Sequence, residues 1–151
     1  MSTVSQKCQY ALRALLELAK HEESNSVVKI AEIAEAQDIP VRFLEAILAQ
    51  LKQGGFVASR RGVDGGYQLL RAAEALTAGE IIRFIEGPIG PVECVAGQGG
   101  EDCKLHGRCA FMGMWRRARD VVAGVYDSTT FRDLVDADRV ANESANPNYC
   151  I

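Results

Sequence analysis

The sequence lacks a long apolar run and an apolar leader. Nothing in its 151 residues approaches the roughly 18 to 20 consecutive apolar residues that a membrane-spanning helix needs. The first residues, MSTVSQKCQY, lack the apolar stretch of a signal peptide. We therefore expect a cytoplasmic protein with no membrane partner. The contents of 48% hydrophobic and 25% charged residues are ordinary for a globular domain, which excludes a disordered or collagen-like chain.

Groups typical of a catalytic site are also scarce. The chain has only two histidines, and neither occurs at a spacing typical of a Ser/His/Asp or Cys/His arrangement. A phosphate-binding glycine loop is missing as well. The sequence therefore predicts that the protein is not an enzyme.

Cysteine occurs in an odd number, five, which favours metal or redox chemistry over a disulfide framework in a chain without an export signal. Cys94, Cys103 and Cys109 are spaced C-x8-C-x5-C in a glycine-rich segment with neither helical nor strand periodicity. Such thiols suit an iron-sulfur cluster or zinc. Zinc sites more often show two short C-x2-C hooks, and their absence here favours a cluster. The other possibility is unliganded thiols that sense by oxidation.

The first half of the chain has the pattern of a winged helix-turn-helix. Apolar residues at three- and four-residue steps predict a helix over 5–20, a second one capped by Ser26, and a third from Pro40 to about residue 53. Two strand-like runs, FVASRR and GYQLL, flank the glycine-rich turn 62–66 and predict a hairpin, the wing. The apolar face of the third helix is assigned to Phe43, Leu44, Ile47, Leu48 and Leu51.

The second half predicts three more helices. Thr77 and Glu80 form a capping-box pattern that opens one helix, which stops at Gly87-Pro88. After the cysteine segment comes a helix of about five turns, then a short one from Thr130 to about Val135 and a polar tail. The five-turn helix carries an apolar stripe formed by Phe111, Met114, Trp115, Ala118, Val121, Val122 and Val125. An apolar face this long at the end of a small domain indicates a partner chain.

The net charge of −3 hides a basic region in the middle of the chain. Between residues 40 and 71, five basic side chains oppose two acidic ones, a local charge of +3. Arg42 falls in the first turn of the third helix, the part of a helix-turn-helix that reaches base edges. Arg60 and Arg61, at the tip of the wing, suit a minor groove or phosphates, and Glu45 can accept from a cytosine amino group. Alternatively, all four are solvated charges of a protein-interaction domain.

Several segments in order resemble a known family. ALRALLELA and IPVRFLEAILAQLKQGGFVASRRGVDGGYQL are followed by IRFIEGP, the three cysteines, and a tryptophan six residues after the third cysteine. Over about residues 1 to 135 the chain is similar to the Rrf2 family of regulators, with its IscR-, NsrR- and CymR-like members. The resemblance implies a homodimeric bacterial winged-helix transcription regulator with an iron-sulfur cluster near the dimer interface. By position, the three cysteines match the cluster ligands, and Arg42, Glu45 and Arg61 match DNA-facing residues.

The fourth cluster ligand departs from the family patterns. IscR-like members have a histidine three residues after the last cysteine, where this chain has Met112. NsrR-like members use an acidic residue from the partner's first helix, where this chain has Gln9, beside Cys8. His106 lies inside the loop at a position that the family does not use. Cys8, Gln9 and His106 remain candidates, although each is also explained as a buried or solvated residue without a ligand.

The sequence therefore predicts a mainly α fold with a small β-hairpin wing and a long dimerisation helix. The leading hypothesis is a homodimer that binds double-stranded operator DNA with two half-sites, through a surface that includes Gly65 and Gly66. It senses iron-sulfur status, nitric oxide or redox stress through a cluster, with 2Fe-2S preferred over 4Fe-4S. The alternatives are a zinc-stabilised protein-interaction module and a cluster-free thiol-sensing regulator. The predicted division is 1–76 for the DNA-binding domain, 77–90 for a connecting helix and turn, 91–109 for the cysteine loop, 107–127 for the dimerisation helix and 128–151 for a short helix and tail.

Overall fold

The computed structural model describes residues 4–97 and 103–145, so parts of the cysteine loop and of the tail lie outside the described residues. The strands are β1 Val57–Arg60 and β2 Gly66–Leu69, an antiparallel hairpin, followed by a 3-10 turn, Ala73–Ala75. The helices are α1 Gln6–Lys20, α2 Ile30–Gln37, α3 Val41–Gln53, α4 Ala78–Glu86, α5 Glu93–Ala96, α6 Met112–Ser128 and α7 Phe131–Ala145. This architecture confirms the predicted fold class, mainly helical with a hairpin wing. Within the described part of the chain, no helix has the length and apolarity needed to cross a membrane.

The apolar core joins α1, α2 and α3 to the base of the wing and to α7. Its largest fully buried side chains are Phe131, Leu15, Leu18, Ile33, Leu44, Leu48, Leu51, Leu76, Ile81 and Val57. Phe131 is the first residue of α7, and its backbone N–H donates to the carbonyl of Leu76 at 2.9 Å. The core of the winged helix-turn-helix is therefore completed by a residue that lies far beyond residue 76.

The start of α2 differs from the sequence prediction. Ser26 does not cap this helix, which begins at Ile30 after an N-cap at Lys29. Val28 instead exchanges two backbone hydrogen bonds of 2.8 Å with Tyr67 of β2. The segment before α2 thus adds a single bridge to the wing, and this local pairing prevents an earlier helix start.

The turn between α2 and α3 ends the first helix of the motif sharply. Asp38 takes a left-handed conformation with φ of 50°, a position that Asp and Asn tolerate better than most residues. Pro40 then caps α3, and its carbonyl accepts the N–H groups of Phe43 and Leu44. The break between the two helices is built by residues that disfavour a continuous helix.

The predicted capping box at α4 is present. The Glu80 N–H donates to Thr77 Oγ1 at 3.3 Å, and the Thr77 N–H donates to a Glu80 carboxylate oxygen at 3.1 Å. Arg71 holds the same carboxylate at 2.7 Å, and together these bonds lower the pKa of Glu80. The helix ends before Gly87, whose φ of 90° suits glycine.

Three helices differ from the sequence prediction in the second half. The cysteine loop contains the one-turn helix α5, and α6 begins at Met112 and not at residue 107. Helix α7 has 15 residues, where a short helix ending near Val135 is predicted. Its start is capped reciprocally, because the Thr130 N–H donates to the Asp133 carboxylate at 2.9 Å and the Asp133 N–H donates to Thr130 Oγ1 at 3.1 Å. Its later turns are mostly polar, so hydrophobic periodicity does not reveal them.

Candidate nucleic-acid interface and cysteine loop

Helix α3 has the position of a recognition helix, with one face buried and the other exposed. Leu44, Ile47, Leu48 and Leu51 are buried against the other helices. Arg42 and Glu45 are exposed in the first turns, where a helix-turn-helix reaches base edges. Farther along, the exposed residues are Ala46, Ala49, Lys52 and Gln53, so the middle of this face is small and its end carries a cation.

Phe43 is placed differently from the sequence prediction. Helical periodicity assigns Phe43 to the buried apolar face of α3, but its side chain is 46% exposed. The Arg42 guanidinium lies over its ring, with Cζ 4.6 Å from the ring centroid, a cation–π contact. Periodicity alone fails here because residue 43 lies at the margin of the apolar stripe.

The wing presents Arg60 and Arg61 at its exposed end. Arg60 is the last residue of β1, paired with Gly66 in β2. The wing is braced against the end of the recognition helix, because Lys52 Nζ donates to Ser59 Oγ at 2.6 Å. The two candidate DNA elements therefore belong to one braced unit.

Gly65 and Gly66, which are predicted to belong to the DNA-binding surface, lie where a side chain would not fit. A Cβ on Gly65 would lie 2.3 Å from the Arg60 carbonyl oxygen, and one on Gly66 would lie 2.5 Å from the Val28 carbonyl oxygen. Neither has a positive φ. In this turn only Gly62 does, with φ of 108°. Close backbone approach explains Gly65 and Gly66.

The cysteine loop places its thiols at different depths. Cys94 is half-buried in α5, Cys103 is exposed, and Cys109 is half-buried before α6. The Cys103 carbonyl accepts the His106 N–H at 2.8 Å, and the Cys109 carbonyl accepts the Met112 N–H at 3.2 Å. The segment between Cys103 and α6 is therefore a series of tight turns.

One side chain outside the sequence prediction anchors this loop. Arg119 Nη1, on α6, donates to the carbonyl of Val95 at 3.0 Å, and Val95 is the buried neighbour of Cys94. A hydrogen bond to a backbone carbonyl leaves no sequence pattern, which explains why Arg119 is not found from the sequence. It joins the segment that carries Cys94 directly to the long helix.

Cysteine thiols are suitable ligands for a soft metal, but the described residues do not bring enough of them together to form a site. Cys8, Cys94, Cys103 and Cys109 are free thiols, and three of them are at least partly accessible. Within residues 4–97 and 103–145, no three His, Cys, Asp or Glu side chains form a group that could hold a metal ion. The residue types fit iron-sulfur ligation, whereas the described part of the chain does not bring three such ligands together.

The candidates for a fourth ligand lie in different environments. Cys8 is fully buried in α1, and burial, with the nearby Glu86 carboxylate, raises the pKa of its thiol from 9.0 to about 11. Gln9 is exposed, and its side-chain amide donates to the Val4 carbonyl at 2.9 Å. His106 is exposed on the loop, and Met112 is half-buried at the start of α6.

Cys8 is expected to be the least reactive of the four described thiols. A pKa of about 11 lowers the thiolate fraction near pH 8 by about a hundredfold relative to a thiol of pKa 9.0, and the thiolate is the nucleophile. Iodoacetamide labelling of the metal-free protein, followed by peptide mass spectrometry, should modify Cys103 at least about a hundredfold faster than Cys8. Unfolding in urea should remove the difference. Equal rates in the folded protein would contradict the buried environment of Cys8.

The apolar stripe on α6 is uncovered in the single chain. None of the 17 residues of this helix is buried. Phe111, Met114, Val121, Val122 and Val125 are all exposed large apolar side chains, Ala118 is exposed, and Trp115 is half-buried. The opposite side is fixed to α4 by a two-bond ion pair between Arg83 and Asp127, with Nη2 and Oδ2 2.8 Å apart, which lowers the pKa of Asp127.

A cleft of about 670 Å³ lies between α6 and the turn after α4. It is lined on one side by Glu86 through Pro91 and on the other by Trp115, Val122 and Tyr126. Since Trp115 and Val122 also belong to the apolar stripe, the cleft continues the same uncovered surface.

A winged helix-turn-helix with a charged first turn, a basic wing and a long uncovered helix defines a winged-helix DNA-binding regulator. A family model described as "Rrf2: Iron-dependent Transcriptional regulator" matches residues 4–137. The chain belongs to the Rrf2 family of transcriptional regulators, as the sequence resemblance predicts.

Similar proteins include regulators named CymR and IscR. The transcriptional regulator CymR of Bacillus subtilis is 40% identical over 87% of this chain and 88% of its own length. The solved structure of CymR, titled the global cysteine regulator of B. subtilis, has a TM-score of 0.75 and 38% identity and covers 91% of this chain and 98% of its own. The regulator IscR of Erwinia tasmaniensis is 32% identical over 88% of this chain and 78% of its own length.

A further solved structure is the oxidized form of Staphylococcus aureus CymR. Its TM-score is 0.68 and its identity 33%, and it covers 89% of this chain and 96% of its own. The relatives are regulators of transcription and not enzymes, in agreement with the lack of catalytic spacing in the sequence.

Proposed function

We propose that the protein is a homodimeric cytoplasmic regulator that binds operator DNA and senses iron-sulfur status, nitric oxide or redox stress through a cluster held by Cys94, Cys103 and Cys109. The observation that carries this proposal is the Arg119 bond to the Val95 carbonyl. It ties the segment that carries Cys94 to the helix proposed to form the dimer. A change at the thiols therefore acts on the element that sets the separation of two DNA-binding heads.

The proposed DNA surface combines the start of α3 with the wing. Arg42 and Glu45 enter the major groove and contact base edges. Arg60 and Arg61 contact phosphates or the adjacent minor groove, where a guanidinium finds negative potential. Gly65 and Gly66 support this surface by allowing the wing backbone to pack closely. Two copies related by a two-fold axis then match an operator with two half-sites.

The proposed dimer forms through the apolar stripe of α6. Burial of exposed apolar side chains is favourable at roughly 25 cal/mol per Å², and large exposed apolar patches commonly mark interfaces. A second copy of α6 covers the stripe and the adjoining cleft. The cysteine loop then lies beside the interface, because α5 is held on α6.

The three loop cysteines are the proposed ligands of the cluster, with 2Fe-2S preferred. Thiolates are the ligands that iron-sulfur clusters take from proteins, and a bound cluster supplies a group that reacts with oxygen or nitric oxide. Cys8 does not suit a fourth position in this conformation, since its thiol is buried and its pKa is raised. Gln9 and His106 are accessible and remain candidates.

Anaerobic purification with iron and sulfide analysis tests the cluster. The wild-type protein is expected to be brown with stoichiometric iron and sulfide. Cys94→Ala, Cys103→Ala and Cys109→Ala are each expected to lower both contents to background while the protein stays folded and dimeric, because these residues contribute little to the core. Cys8→Ala is the matched control and should keep the cluster. Full iron and sulfide in any loop variant would overturn the ligand assignment, and a colourless zinc protein would support a structural metal.

A second candidate is a cluster-free thiol sensor. Two observations favour it: the described residues gather no three metal donors, and a CymR relative has a solved oxidized form. In this case the protein purified without air holds no iron, and oxidation of Cys103 or Cys109 alone changes operator affinity. Restoration of affinity by a thiol reductant separates this mechanism from cluster loss.

A further inference from the structure

The first turn of α3 displays two large apolar side chains that the core does not use. Val41 is 43% exposed and Phe43 46% exposed, whereas the buried face of the helix begins at Leu44. They flank Arg42, one on each side. Single exposed apolar residues are ordinary on a protein surface, but here the two occur at the end of the helix proposed to enter the major groove.

Phe43 and Arg42 are presented together. The guanidinium carbon lies 4.6 Å from the ring centroid, so the cation rests on one face of the ring while the rest of the ring remains accessible. Stacking of this kind restricts a flexible arginine. In the proposed complex, the Arg42 guanidinium and the Phe43 ring therefore reach adjacent base pairs of the same major groove.

The major groove contains one apolar group that distinguishes base pairs, the 5-methyl of thymine. Aromatic and other apolar side chains recognise it by contact, while arginine recognises the acceptor edge of guanine. The composition of the first turn matches this pair of features, because the charged group and the ring are neighbours.

We infer that Phe43 is a specificity-determining residue whose exposed ring contacts the 5-methyl group of a thymine beside the base pair contacted by Arg42. This inference rests on the proposed DNA-binding surface. It adds recognition of thymine by apolar contact, which the hydrogen bonds of Arg42 and Glu45 do not supply. The contact is worth about the burial of one methyl group, or about a threefold to fivefold difference in affinity.

Uracil substitution isolates this contact, because deoxyuridine keeps every hydrogen-bonding group of thymine and lacks only the methyl. Duplexes selected from a random-sequence pool by the wild-type protein serve as the probe, and each thymine is replaced in turn. Wild-type affinity should fall about threefold to fivefold at one thymine in each half-site. Phe43→Ala should bind the thymine and uracil duplexes equally, while Phe43→Leu should keep part of the difference.

Val140→Ala provides a matched control, because Val140 is an equally apolar, exposed residue, 58% accessible, on α7. It should show the wild-type preference for thymine. Thermal unfolding should be nearly unchanged in both alanine variants, since neither side chain is in the core.

The outcomes separate this inference from the proposed function. Selection of an operator with no thymine-to-uracil difference at any position overturns the methyl contact and leaves DNA binding intact. A difference that persists in Phe43→Ala, with loss of guanine preference next to it, also overturns the contact and makes Phe43 a positioning residue for Arg42. Failure to select any sequence overturns the reading surface as a whole.

Discussion

Replacing Val122 by glutamate is expected to convert the protein to a monomer and to lower operator affinity by at least a hundredfold. Val122 lies in the middle of the α6 stripe, is 43% exposed in the single chain and also lines the cleft beside it. A carboxylate there would be buried without a partner in the dimer, which costs several kcal/mol. Loss of the dimer removes the second half-site contact, and bivalent attachment commonly adds a factor of roughly 100 to 10,000.

Sedimentation velocity at micromolar concentration measures the first effect and operator titration the second. Val140→Glu, which places the same charge on an exposed valine of α7, is the control and should remain dimeric with full affinity. A wild-type protein that is already monomeric, or a Val122→Glu variant that stays dimeric, would place the interface elsewhere.

The elements that the sequence predicts well are those with strong local signals. The Thr77 and Glu80 capping box forms as expected, and the buried residues of α3 from Leu44 to Leu51 follow the helical period. The wing pairs over the predicted runs, with Val57 opposite Leu69. Local propensity, periodicity and turn chemistry agree in these segments, and such agreement makes a prediction reliable.

The elements that the sequence misses depend on contacts distant in the chain. Val28 extends toward β2 and pairs with Tyr67, so Ser26 loses its capping role. Helix α7 continues beyond Val135, and there Asp138 pairs with Lys20 Nζ of α1 at 2.9 Å. These partners are separated from each other by dozens of residues, and no short pattern records them.

The candidate site divides in the same way. The sequence offers the charged residues and thiols as candidates by their type and spacing. It does not identify Arg119, whose role is a bond to a backbone carbonyl, or the exposure of Phe43, which depends on the exact direction of α3. Residue chemistry is therefore visible in the sequence, whereas orientation depends on packing.

The hydrogen bonds and ion pairs around α4 suggest how the two halves of the molecule are joined. Arg83 binds Asp127 of α6. Glu86, the last residue of α4, accepts from the backbone N–H of Ser5 at 3.1 Å, and Ser5 is the N-cap of α1. Helix α4 thus contacts both the proposed dimer helix and the first helix of the DNA-binding unit. We therefore expect a movement of α6 to displace α4 as well.

Gly66→Ala is expected to reduce both the stability of the protein and its DNA affinity, because the wing cannot accept a side chain at this position. The new Cβ would lie 2.5 Å from the carbonyl oxygen and 2.7 Å from the carbonyl carbon of Val28. That backbone is itself fixed by its two bonds to Tyr67, so it cannot move without losing the bridge. Overpacking of this kind costs roughly 1 to 3 kcal/mol, and displacement of Arg60 and Arg61 should lower DNA affinity at least tenfold.

Gly124→Ala is the matched control for this variant, since a Cβ at that position of α6 meets nothing within 4 Å and alanine favours a helix by about 0.5 to 1 kcal/mol. Thermal unfolding should therefore show opposite shifts for the two substitutions, with DNA affinity lost only in Gly66→Ala. An unchanged melting temperature together with full DNA affinity in Gly66→Ala would contradict the close approach of the wing to Val28. A loss of DNA affinity without any loss of stability would also contradict it, because a methyl group placed against the Val28 backbone should strain the fold whenever it displaces the wing.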